Sequence, residues 1–113
     1  MTVDHPPHYA SHPSGIECIE VSRHCMSDMG QAIQYVWRHA EKNGIEDLDK
    51  ARWFLLDHVA HGFASALPYR ARVKLEEVNR RNAADSVEHR VFGRLLAADP
   101  HGAIAVLSRE IGG

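Results

Sequence analysis

Apolar residues recur along this chain at spacings of three and four, and no stretch keeps up the apolar–polar alternation of a strand. That period predicts helices throughout. The first runs from about Ile16 to Met26, with Ser14 as its cap. The second runs from about Asp28 or Gly30 to Lys42 and stops at Asn43-Gly44. The third extends from Ile45 to about His61, with Leu48, Ala51, Leu55 and Val59 on its apolar face. Its first turn holds Glu46 and Asp47, where acidic groups suit the positive end of the helix dipole. Gly62 and Leu67-Pro68 mark a break. Two more helices are predicted, from about Tyr69 to Arg81 and from about Ala84 to Ala97. Asp99-Pro100 places a capping side chain before a proline, and a short last helix follows from Ala103 to Ile111. Residues 1–15 hold Pro6, Pro7 and Pro13 and read as an extended Pro/His-rich arm. The expected fold is all-α: a compact bundle of five or six helices with that arm.

The second helix carries a polar stripe. At about 3.6 residues per turn, Gln31, Tyr35, Arg38 and Lys42 fall in one narrow sector. Ala32, Ile33, Val36, Trp37 and Ala40 take the opposite side. A row of amide, phenol, guanidinium and ammonium suits an anion with a ring attached, such as a nucleotide. The plain alternative is a solvated helix face.

Composition narrows the classes. A chain of 113 residues fits one small domain, or a domain with a helical extension, and Gly62 divides it into 1–62 and 63–113. The net charge of −2 gives no general attraction to nucleic acid or an anionic membrane. The halves differ mildly, with 9 acidic and 5 basic side chains in 1–62 against 6 and 8 in 63–113. Arg70, Arg72, Lys74, Arg80 and Arg81 alternate with Glu76 and Glu77, the pattern of a salt-bridged surface, so nucleic acid is not the expected partner. Cys18 and Cys25 would lie two helical turns apart, too far for a disulfide, and read as buried free thiols in a reducing cytoplasm. No secretory leader or membrane-crossing stretch is expected. A chain this short gains from self-association, so a homo-oligomer is expected, with residues 63–113 as packing or oligomerisation helices.

Several chemistries leave recognisable spacings. Glu17-x-x-Glu20 and Glu46-x-x-Asp49 each place two carboxylates on one helix face. Two such helices side by side could hold magnesium, as in the MazG-like nucleoside triphosphate pyrophosphatases, whose E-x-x-E…E-x-x-D pattern this resembles. Surface carboxylate pairs are the plain alternative. His8 and His12 lie among prolines, and His58 and His61 lack a further ligand at firm spacing, so zinc is not expected. Beside Tyr9, His8 suits a phosphate or a base ring. Neither a P-loop nor a Rossmann glycine turn is present, and no serine has a nucleophile-elbow context.

Five pieces in order also carry a family likeness. These are His8-Tyr9, Gly15 to Ile19, Gly30 to Arg38, Lys42, and Glu46 to Leu55. The set resembles a small domain family of tailed bacteriophages, long catalogued as of unknown function, which includes an early nucleotide kinase of T-seven-like coliphages. The likeness covers about residues 8–56. Gln31 replaces the family's asparagine, Gln34 its lysine and Phe54 its tyrosine. The resemblance implies nucleotide binding in the cytoplasm of an infected host, with phosphoryl transfer between nucleotides. Its implied roles are charge neutralisation by Arg38, Lys42 and Lys50, stacking by Tyr35 or Tyr9, and edge recognition by Gln31. Glu17, Glu46 and Asp47 are the implied magnesium ligands, and Arg38, Lys42 and Glu17 the catalytic set. Sequestration of nucleotides or nucleotide immune signals without turnover, the pyrophosphatase and a plain interaction protein are the alternatives.

Overall fold

In the computed structural model the described residues are 12–112. They form six α-helices and no strand: α1 Cys18–Ser22, α2 Ser27–Arg38, α3 Ile45–Ala60, α4 Tyr69–Arg80, α5 Val87–Leu96 and α6 Pro100–Gly112. The all-α expectation holds, while the proposed arm lies mostly outside the described residues. None of these helices is long and apolar enough to cross a membrane.

Local chemistry explains where the helices end. The first is far shorter than the spacing predicts. Glu17, not Ser14, caps it, its amide donating to Glu20 Oε2 at 2.6 Å. Ser14 instead accepts from the Ile16 amide in the preceding turn. Residues 39–41 tighten α2 into a single 3-10 turn, and Gly44 takes a left-handed φ of 57° that suits glycine at the turn into α3. Ser86 Oγ caps α5 by accepting from His89 N at 3.1 Å. The last helix begins earlier than predicted, at Pro100, because Asp99 Oδ1 accepts from Gly102 N at 2.9 Å.

The helices pack around one apolar core shared by residues on both sides of Gly62. Ile33 and Val36 of α2, Leu55 of α3, Leu75 of α4, Val91 of α5 and Leu107 of α6 are all fully buried in it. The longest contacts run between α2 and α3, with α6 laid along α3 and α5, and α1 resting on α2 and α4. Gly30 permits that close seat of α1, since a Cβ there would stand 3.0 Å from the Ser22 carbonyl oxygen. On α4, Val73 is exposed and the buried face runs through Ala71, Leu75, Val78 and Asn79. Both cysteines are free, Cys18 buried and Cys25 half-buried.

Candidate functional site

The polar stripe of α2 faces α3 near the turn that joins them. Tyr35 is its centre. Its ring stacks on Phe54 of α3, with centroids 5.8 Å apart and planes 13° from parallel. The Arg38 guanidinium lies 4.6 Å from the Tyr35 centroid, and Lys50 Nζ lies 5.5 Å from it. One electron-rich ring thus draws two cations from two helices together.

Arg38 is held from beneath by Asp47. Arg38 Nη2 donates to Asp47 Oδ1 at 3.2 Å, and the Asn43 amide donates to Asp47 Oδ2 at 3.1 Å. The Asp47 carboxylate is fully buried while the Arg38 side chain is 38% exposed. Burial by itself pushes the Asp47 carboxyl up. The Asn43 amide and the Arg38 and Lys50 charges outweigh it and hold the group below the ordinary carboxylate range. Among the described residues Arg38 Nε is buried without an acceptor. The guanidinium is therefore gripped at one edge, with donor capacity unused.

The other expected site residues separate into two groups. Gln31 is half-buried on α2 and makes no side-chain hydrogen bond among the described residues, and Lys50 pairs with Glu46 at 3.7 Å. These two stay with Tyr35 and Arg38 along the α2–α3 seam. Lys42 does not continue the stripe, because the helix ends at Arg38 and the tighter turn at 39–41 changes the angular step per residue. It is exposed and takes no ion pair among the described residues. Glu17 sits at the start of α1, which packs on α2 and α4 instead of lying beside α3. Its partner in the spacing, Glu20, pairs with Lys74 at 3.3 Å, and Asp49 pairs with Arg52 at 2.8 Å. Among the described residues no three His, Cys, Asp or Glu side chains gather as a metal would require. His8 and Tyr9 lie outside the described residues.

Some contacts had no sequence signal. His12 Nε2 bonds Asn82 Oδ1 at 2.9 Å across 70 positions, and its ring lies 5.3 Å from Trp37. Because Nδ1 accepts from the Ser14 amide, Nε2 carries the proton and is the donor to Asn82. Gln34, noted as a lost lysine, reaches across to Ser22 of α1 at 3.4 Å. Phe54, noted as a lost hydroxyl, supplies the ring beneath Tyr35. Its apolar character at an i+4 step from Lys50 was the one available cue.

At the far end of the seam, Asp28 of α2 meets Asp57 of α3. Burial and the neighbouring Asp57 carboxyl raise Asp28 above its ordinary value. His61 Nδ1 lies 2.8 Å from the Asp57 carbonyl oxygen and 3.5 Å from its Oδ1. The two ends of the α2–α3 pair therefore differ: near Arg38 each cation has a carboxylate partner, Asp47 for Arg38 and Glu46 for Lys50, whereas near Asp28 two carboxyls face each other.

No curated protein and no solved structure matches the chain. Residues 3–56 match the model of a family described as a protein of unknown function (DUF3310), and the whole Tyr35–Arg38–Asp47–Lys50 cluster falls inside that shared segment.

Proposed function

We propose that this chain binds nucleotides at the Arg38–Lys50 end of the α2–α3 seam. One observation carries the reading: Arg38 and Lys50, from different helices, converge on Tyr35 while the buried Asp47 anchors Arg38. Planar guanidinium groups match phosphate oxygens through paired hydrogen bonds. A phosphate that draws Arg38 off the Tyr35 ring supplies acceptors for its unused donors and frees the ring to stack on a base. Gln31, one turn away on α2, offers an amide to the base or sugar edge. Lys42 adds an exposed charge from the turn.

Phosphoryl transfer between nucleotides, as in a bacteriophage kinase working in an infected cell, is part of the same proposal. It rests on the resemblance to the T-seven-like kinase and on the suitability of paired cations for a reaction driven by positioning and charge. Magnesium would enter with the phosphates, since Glu17, Glu46 and Asp47 do not gather into a cage of their own. The exposed Glu46, beside Lys50, is the carboxylate best placed to meet it.

The test is incubation of the protein with mixed nucleoside mono- and triphosphates plus magnesium, followed by chromatography of bound ligand and products. Phosphate exchange supports the kinase. A tightly bound ligand returned unaltered supports binding without turnover. If no nucleotide binds, the proposal falls. Arg38→Ala should weaken binding by more than about tenfold, or about 1.4 kcal/mol.

A further inference from the structure

The outward face of α3 carries Ile45, Trp53 and Leu56, exposed by 51%, 59% and 48%. At about 100° per residue they share a sector roughly 100° wide with Asp49 and Arg52. Asp49 and Arg52 are joined at 2.8 Å in the middle of this stripe. Several large apolar side chains exposed along one helix, a tryptophan among them, mark an interaction surface.

We propose that this face is the contact between two copies of the chain, with their α3 helices crossing antiparallel about a twofold axis at the midpoint of Asp49 and Arg52. The argument for a second copy is the register. In a twofold contact the same patch must complement itself. Ile45 and Leu56 lie equally far on either side of the Asp49–Arg52 midpoint. An antiparallel crossing centred there sets Ile45 of one copy against Leu56 of the other, and Asp49 against Arg52. Trp53 then closes over the rim. The stripe has no net charge to match with a basic or acidic partner, since Asp49 offsets Arg52 and the flanking Glu46 offsets Lys50.

The apolar ends supply the affinity and the central charges set the register. Trp53 meets Phe54 edge-on at 5.2 Å, and Phe54 stacks on Tyr35. The contact therefore lies one ring away from the candidate site, although it does not depend on what that site binds.

Sedimentation equilibrium of the full chain tests the contact. The wild type is expected to be a dimer. Leu56→Glu should raise the dimer Kd by at least about tenfold, and Asp49→Arg should do the same by facing arginine with arginine. The exchange Asp49→Arg with Arg52→Asp restores opposite charges in the same register. It should return the Kd to within about threefold of wild type. Asp49 and Leu56 are exposed, whereas Arg52 is half-buried and also donates to Ser108 Oγ of α6 at 3.3 Å. Circular dichroism should show unchanged helicity in each variant, which separates lost association from lost folding. A monomeric wild type at high micromolar concentration overturns the proposal. So does a Leu56→Glu dimer as stable as wild type, or an exchange variant no better than Asp49→Arg alone.

Discussion

Asp47 holds Arg38 at 3.2 Å and the Asn43 amide at 3.1 Å with the two oxygens of one fully buried carboxylate. A residue expected to ligate magnesium is therefore occupied in positioning a cation and fastening the α2–α3 turn. A carboxylate withdrawn from water stays charged only with such partners.

Removing that carboxylate should cost the fold. Asp47→Ala leaves the Asn43 amide and the inner edge of Arg38 unpaired, and should destabilise the protein by about 2 kcal/mol in urea unfolding. That is less than the roughly 3–5 kcal/mol of a fully buried pair, because Arg38 is partly solvated. The Asp47 carboxyl sits below its ordinary value of about 3.9. Its contribution is complete above that pH and is lost as pH falls through the lower folded value. Asp47→Asn should therefore lose less stability than wild type between neutral pH and about pH 3.

Residues 12–16 should depend on a residue 70 positions away. Asn82→Ala removes the acceptor for His12 Nε2, a loss of about 1 kcal/mol. Hydrogen exchange should quicken at the Gly15 amide, which bonds the His12 carbonyl oxygen at 2.9 Å. Ile33, in the core of α2, should exchange as before. Equal acceleration at both would mean global destabilisation instead.

His61 should titrate above an ordinary histidine. The Asp57 carbonyl raises it first, then the Asp57 carboxylate, with Asp28 adding to them. A raised value means that any stability it contributes is present below the unfolded pKa and lost as pH rises through the folded one. By proton NMR, Asp57→Asn should lower the His61 midpoint, though not to the unperturbed value, because the carbonyl contact remains.

Neither thiol should react readily in the native protein. Burial, with Cys25 nearby, pushes Cys18 up to about 12, and burial pushes Cys25 up to about 11. At pH 8 almost no thiolate is present to attack. Mass spectrometry after brief iodoacetamide treatment should find both unmodified, and both alkylated once urea is added.

Much of the fold was legible because a helix is written locally. Leu48, Ala51 and Leu55 declared the buried face of α3, and all three are buried. Boundaries were harder where a competing bond decided them. Glu17 displaced Ser14 as a cap, and the turn at 39–41 took Lys42 off the stripe that its spacing had assigned. In the candidate site, Tyr35 and Arg38 share a helix and could be paired by counting. Their neighbours on α3 could not, because sequence spacing says nothing of which helix packs against which.

By itself the sequence determined an all-α chain of five or six helices, most of their apolar faces and the Gln31–Tyr35–Arg38 part of a stripe on the second, since each depends on a period of about 3.6 residues within one segment. Only the tertiary structure decided the partners. It buried Asp47 beneath Arg38, set Phe54 and Lys50 against Tyr35, sent Glu20 to Lys74 and tied His12 to Asn82. The physical reason is that burial turns chemically ordinary charges into obligatory pairs, and the shared core, not the spacing along the chain, selects which groups are buried together.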